Sequence, residues 1–290
     1  MKNFVTRVVM VGIAVPFLFA LAIYVPFMNH APIALLVIAF ALGSSLELKS
    51  LLEPAAPKGR AVAAATLGTL PPLAVYVSTL SFPQAGLVTS WMVTLGAVVM
   101  VAFVLFSVPI AFPSSKEAIP SSIRLASANA LYLVYPGALS SAIIAILGIP
   151  GNSGLILIWF SLIVFGNDSL AWLAGVTLGR RKGIFAVSPN KSLEGLIAGI
   201  AGSVGFALAG PLLFPAAVPR EWAYLSALGL ACGAAVVTGD LFESAIKRSA
   251  GVKDSGSIIP GRGGILDSFD SLLFAAPVFV GMLAATGILA

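Results

Sequence analysis

The chain is poor in the residues on which soluble enzymes rely: of 290 residues one is cysteine, one is histidine and 9% are charged. The single cysteine, Cys232, excludes an internal disulfide and any metal site made of several thiolates. So little charge, beside 59% hydrophobic residues and a mean hydropathy of +1.06, excludes an ordinary soluble domain. Low-complexity tracts are missing, as is the internal repeat that marks many transporters. The short alternating segments of a membrane β-barrel are not seen either.

What is present is apolar sequence in runs of about 20 residues, the length that crosses roughly 30 Å of hydrocarbon at about 1.5 Å per residue. Nine runs can be marked, at 4–25, 32–52, 61–80, 88–112, 124–147, 153–178, 192–214, 222–246 and 271–290. Backbone facing lipid must satisfy its own hydrogen bonds, so the expected fold is an all-α polytopic membrane protein with about nine transmembrane helices. The first run follows Lys2 and Arg7, lacks a small-x-small cleavage site, and is read as a retained helix rather than a signal peptide.

With the N-terminus in the cytoplasm, 15 of the 16 basic residues fall on cytoplasmic segments and only Arg220 falls outside. That bias follows the positive-inside rule and puts the C-terminus outside. It also accounts for the formal charge of +5 without a nucleic-acid partner, Arg180, Arg181 and Lys182 acting as topology signals that attract anionic headgroups. The outer loops, such as "SFPQAG" and "GIPGNSG", are short and almost uncharged, whereas the longer polar stretches, 113–123, 179–191 and 247–270, are all cytoplasmic. Chemistry is therefore expected on the cytoplasmic side. Glycines recurring at 195, 199, 202 and 205, and at 229, 233 and 239, are expected to let helices approach closely.

Ionisable groups inside spans cost about 2.5–3.5 kcal/mol at mid-helix, so each one asks for a reason. Glu47, Asp168, Glu194 and Asp240 are such groups. At helical spacing Asp240, Ser244 and Lys247 share a face, with Glu243 beside them. Beyond a loop containing "PGRGG", Asp267 and Asp270 stand one turn apart at the start of the ninth span. One such acid would merely complement the helix dipole, but carboxylates from neighbouring helices make a hard oxygen site suited to Mg²⁺. A glycine-rich loop entering a helix brings backbone N–H groups to phosphate oxygens, and lysine and arginine hold the remaining charge. Acid, glycine and base together describe a site for a metal-bound polyphosphate.

The stretch "SAIKRSAGVKDSGSIIPGRGGILDSFDS" resembles the C-terminal signature of the phosphatidate cytidylyltransferases, the CDP-diacylglycerol synthases. Ser244, Lys247, Arg248, Lys253, Asp254, Pro260, Gly261, Gly263, Gly264, Asp267 and Asp270 match it by residue and spacing. "NDSLAW" at 167–172 and "SPNKSLEG" at 188–195 resemble two further family segments, in the same order. Two positions depart from it: Arg262 stands where the family has histidine, and Ser268 where it has arginine.

The resemblance implies a reaction of CTP with phosphatidic acid in the bilayer that gives CDP-diacylglycerol and pyrophosphate with Mg²⁺, a second cation being left open. It further implies a homodimer in the inner cell membrane with the active site facing the cytoplasm. The catalytic region would be 113–290, with five helices, behind an N-terminal region 1–112 with four. Asp240, Asp267 and Lys247 would be catalytic, and Asp240 and Asp267 would bind the metal with Asp270 and Asp168 in support. Lys191, Lys247, Arg248 and Lys253 would hold phosphates, with Ser244, Gly263 and Gly264 beside them; Asn167 and Glu194 are polar positions that the family segments mark. Arg262 would take over a phosphate contact from the missing histidine. The lipid phosphate is already an anion, so no deprotonating histidine is needed, which suits a chain whose only histidine, His30, is expected on the opposite face. A CTP-dependent polyprenol or phytol kinase, and a transporter or inactive relative, remain as rival readings.

Overall fold

The structure is a computed structural model that describes residues 2–81, 87–113, 115–261 and 263–285. Arg262 and the last five residues of the ninth expected span lie outside the described residues. The described chain forms nine helical rods. They are α1 (Lys2–Tyr24), α2 (Phe27–Leu52), α3 (Gly59–Ser81), α4 (Leu87–Ala111), a composite rod from Lys116 to Leu147, α7 (Ser153–Thr177), α8 (Leu193–Leu213), α9 (Trp222–Ser249) and α10 (Leu266–Ala285). The composite rod holds α5 (Ile119–Tyr132), a π-helical turn at Leu133–Ala138, and α6 (Leu139–Leu147). Eight of the nine are long and apolar enough to cross a membrane within their described residues, and α1 supplies a shorter apolar stretch at Val15–Tyr24. The all-α, many-span fold expected from hydropathy is what the chain adopts.

The composite rod is the centre of the packing. Tyr132, Tyr135, Ile144 and Ile146 on it are fully buried, and Pro136 sits in the π turn, where a missing N–H is most easily absorbed by the wider backbone. A Cβ on Gly137 would stand 2.9 Å from the Leu67 carbonyl oxygen, so this turn touches the α3 backbone directly. At the other extreme α4 turns Met92, Met100, Phe103 and Leu105 outward, as a lipid-facing helix can.

Helices α7, α8, α9 and α10 pack in sequence order, and small residues set their spacing. A Cβ on Gly199 would lie 2.7 Å from Asn167 Oδ1, and one on Gly229 would lie 2.6 Å from the Val204 Cα. Gly205 faces open space and does not share this role. Three element edges differ from hydropathy. α10 starts at Leu266 rather than 271, because Asp267 in its first turn suits the helix N-terminus. The composite rod starts at Lys116, taking up most of the loop expected at 113–123. α2 starts at Phe27 with a left-handed turn, φ being 47°, 50° and 58° at Met28, Asn29 and His30. Hydrogen bonds hold that turn: the Tyr76 hydroxyl to the Met28 carbonyl, the Asn29 amide to the Thr79 carbonyl, and His30 with Ser153.

At the opposite end of α2, Glu53 accepts from the Arg60 guanidinium at 2.9 Å and from the Tyr132 hydroxyl at 2.6 Å, tying the α2–α3 turn to α5. Burial works against ionisation of the Glu53 carboxyl, but the hydrogen bonds from Arg60 and Tyr132 outweigh it and hold its pKa below the ordinary glutamate value. A depressed folded pKa adds stability that is present above the unfolded pKa and is lost as pH falls through the folded one. Glu53→Gln is expected to lower the thermal midpoint at neutral pH by about 2–4 °C, the shift of roughly 1 kcal/mol in a chain of comparable size. The gap to wild type should narrow as pH falls below the ordinary glutamate value and through the lower folded pKa. A gap of equal size at neutral pH and below the folded pKa in thermal scans would contradict this account of the turn.

Candidate active site

The N-terminal ends of α8 and α10 meet the C-terminal halves of α7 and α9 at one end of the bundle, as alternating up and down spans require. Together with the 178–192 loop they enclose a cleft of about 620 Å³. Its lining brings together Asp168 on α7, Asp240, Glu243 and Lys247 on α9, Asp267 and Asp270 on α10, and Lys182 and Lys191 on the loop. Trp172 and Val176, which also line it, are 58% and 68% exposed, so one wall of the cleft continues into the lipid-facing surface of α7.

Two lysine clasps organise the charge. Lys191 pairs with Asp240, joining the loop to α9, and the Ser244 hydroxyl stands 3.4 Å from Asp240 Oδ1 one turn along. Lys247 pairs with Glu243 on its own helix and with Asp267 Oδ1 on α10 at 2.6 Å. The side chains of Lys247, Glu243 and Asp267 are 12%, 1% and 7% exposed, so they form a buried triad with one cation between two acids.

Asp267 Oδ2 faces the loop instead, accepting from the Ser255 N–H at 2.9 Å and the Gly264 N–H at 2.7 Å, with the Ser255 hydroxyl at 3.0 Å. Gly263 has φ of +109°, a value that L side chains rarely adopt, and a Cβ there would press on Asp267. Asp270 is buried and takes the Ser271 N–H at 2.7 Å. Asn167 holds α7 to α8 and α9 through the Ser203 hydroxyl at 3.0 Å and the Gly233 carbonyl at 3.4 Å.

Of the residues singled out from sequence, Asn167, Asp168, Lys191, Asp240, Lys247, Asp267 and Asp270 therefore share the cleft, and Ser244 adjoins it. Others do not line it. The Glu194 carboxylate accepts from the backbone N–H groups of Arg180 and Arg181 and shapes the 178–192 loop. Arg248 donates to the Val252 carbonyl, and Lys253 is exposed. The N–H groups of Gly263 and Gly264 are spent within the loop, on the Ile259 carbonyl and on Asp267. The expected phosphate contact of Arg262 falls outside the described residues.

Two acids were passed over by sequence reasoning. Glu243 was visible beside Lys247 but given no role, and it is the most buried acid of the cleft. Glu47 on α2 was flagged only as a costly charge within a span, and it proves to bind the loop before α10: the Ile265 and Leu266 N–H groups each donate to its carboxylate at 2.9 Å. Its cost was the available signal; its partners lie more than two hundred positions away and leave no local pattern.

Among the described residues no three Asp, Glu, His or Cys side chains converge closely enough to hold a metal ion unaided. The donor set nonetheless suits Mg²⁺, which is commonly held by one or two carboxylates together with substrate phosphates. The cleft carries five carboxylates, all hard oxygen donors, against three lysines, and the Asp240 side chain is 38% exposed.

A profile of the Cytidylyltransferase family matches residues 5–286. The phosphatidate cytidylyltransferase of Bacillus subtilis (strain 168) is 42% identical over 132 residues, 45% of this chain and 48% of that protein. That of Thermotoga maritima is 35% identical over 179 residues, 60% of this chain and 66% of that protein. The uncharacterized protein YnbB of Escherichia coli (strain K12) is 42% identical over 129 residues, 44% of this chain and 42% of that protein. The chain thus spans about half the length of the curated relatives it matches.

The buried triad makes an energetic prediction. Lys247→Met leaves two buried acids facing each other without a cation, which should cost about 3–5 kcal/mol. Adding Glu243→Gln should return part of that loss. Thermal unfolding of the purified variants in detergent checks this; a single variant as stable as wild type would contradict the buried pairing.

Proposed function

We propose, since this chain belongs to the Cytidylyltransferase family, that it transfers a cytidylyl group from CTP to phosphatidic acid, giving CDP-diacylglycerol and pyrophosphate. The observation that carries the reading is the cleft itself, where lysines and carboxylates from three helices and the 178–192 loop meet beside a wall open to lipid. A triphosphate entering there takes the place of Asp240 as partner of Lys191 and meets Lys247 while Glu243 and Asp267 still hold it. The lipid phosphate, its acyl chains along Trp172 and Val176, approaches from the bilayer side.

In the reaction a phosphate oxygen of the lipid forms a bond to the α-phosphorus of CTP, and the bond from that phosphorus to the bridging oxygen of the β-phosphate breaks. The electron pair leaves with pyrophosphate. No proton has to be removed from the attacking anion, so a general base is not required, and none of the cleft groups needs that role. Alignment and charge neutralisation do the catalytic work. Lys191 and Lys247 hold the departing phosphates, Glu243 and Asp267 fix Lys247 from two sides, and Glu194 keeps the Lys191 loop in shape. Asp240 would hold Mg²⁺ together with the substrate's phosphates, Asp168 and Asp270 adding negative charge in support; when bound the ion neutralises phosphate oxygens and aligns the triphosphate. Asp267, its oxygens already engaged, would serve the metal only by exchanging a partner.

The basic residues gathered on one side support a cytoplasmic N-terminus, an outside C-terminus and a cleft that opens to the cytoplasm of the cell membrane. A homodimer belongs to the same reading. The test is transfer of label: with phosphatidic acid, Mg²⁺ and CTP labelled at the α-phosphate, the purified protein should move label into lipid, one pyrophosphate being released per transfer. Label at the γ-phosphate should stay in water. Asp240→Asn should slow transfer about 100-fold or more. Lipid labelled from the γ position would instead establish a kinase, and no transfer from either position would overturn the proposal.

A further inference from the structure

Glu47 lies near the C-terminal end of α2, only 7% exposed, and does not line the cleft. Its carboxylate nevertheless governs the loop that completes it. Oε1 accepts from the Ile265 N–H, and Oε2 accepts from the Leu266 N–H and from the Ser255 hydroxyl at 2.8 Å. The first turn of a helix has N–H groups without intrahelical partners, so a side chain on α2 caps α10 from 218 positions away. Ser255 in turn gives its own N–H to Asp267, the acid that holds Lys247 at the cleft.

The surroundings are shaped to this contact. A Cβ on Gly256 or Gly264 would collide with the Glu47 carboxylate, and Gly43, one turn before Glu47, leaves room for the Ile265 side chain. Two of the loop glycines are thereby explained by a carboxylate inside the protein. A buried carboxylate is tolerated only where donors compensate it; among the described residues its donors are Ser255, Ile265 and Leu266, from the loop and the first turn of α10, so the position of that segment depends on this side chain.

We infer that Glu47 is a positioning residue for the transfer reaction: through Ser255 and the first turn of α10 it keeps Asp267, and with it Lys247, in place. The catalytic part of this inference rests on the function proposed above. Glu47→Gln preserves size but turns one acceptor position into a donor that faces donors. In the full-length variant kcat for label transfer should fall at least tenfold, while KM for phosphatidic acid stays within twofold. Hydrogen exchange of the amides at 255–267 should speed up at least tenfold, with α7 and α8 unchanged. Glu47→Asp, which restores the charge one methylene short, should recover part of kcat.

Loop amides that exchange in Glu47→Gln as in wild type overturn the inference, whether or not wild type is active. So does faster exchange across all helices, which marks a general folding role, or faster loop exchange with unimpaired transfer. A wild-type protein that transfers no label sinks the proposed function and the catalytic part of the inference with it, and the exchange experiment then decides whether Glu47 positions the loop.

Discussion

The carboxylate of Asp267 is the point on which the cleft depends. One oxygen takes the Lys247 ammonium from α9 and the other takes two backbone N–H groups from the loop, so a single side chain joins two helices and the turn between them. A carboxylate so enclosed is stable only while those partners stay in place, and the partners are aligned only while it is charged. Removing either side leaves a buried charge without compensation, which is why the arrangement behaves as a unit.

Around this point the protein uses its few charges in pairs. Lys191 with Asp240 and Lys247 with Glu243 and Asp267 offset part of the cleft's acid excess without ligand, in surroundings that would penalise isolated ions. The same pairs explain how phosphate could be received: the lysines are already at the cleft, and an arriving anion exchanges with an acid rather than drawing a cation out of water. The apolar remainder supplies a frame. Glycine contacts hold α7, α8 and α9 close, and the buried composite rod packs against α9 and α10 through Tyr135, edge-on to Phe242 and Phe274.

Much of this was legible in the sequence, for identifiable reasons. Span number follows from hydropathy because lipid demands long apolar helices, and Asp168 and Asp240 stand out because a charge inside a span has few reasons to be there, whereas Lys191, Lys247, Asp267 and Asp270 are legible from spacing and from the family resemblance. Asp240 and Lys247 could be placed on one face by helical spacing alone. What was hidden depends on contact between distant segments. Nothing near Glu47 announces the loop that it caps, although Phe40, Gly43 and Glu47 recur at helical spacing and Phe40 packs edge-on against Phe269 of α10 at 5.5 Å. The glycine loop reads in sequence as a phosphate cradle, whereas the Gly263 and Gly264 amides are engaged internally, because composition records where glycine stands and not which atom it makes room for. The early start of α10 was obscured for a related reason: its first turn is polar, and hydropathy registers only what faces lipid.

The proposed function puts the triphosphate of CTP among Asp168, Lys191, Asp240 and Lys247. Electron cryomicroscopy of the protein in lipid nanodiscs with Mg²⁺ and a CTP analogue that cannot release pyrophosphate measures this most directly. The account predicts phosphate density between the two lysines, with the Lys191–Asp240 pair opened. Nucleotide bound instead at Arg180 and Arg181 on the surface, or against Lys253 with both lysine clasps closed, would contradict it.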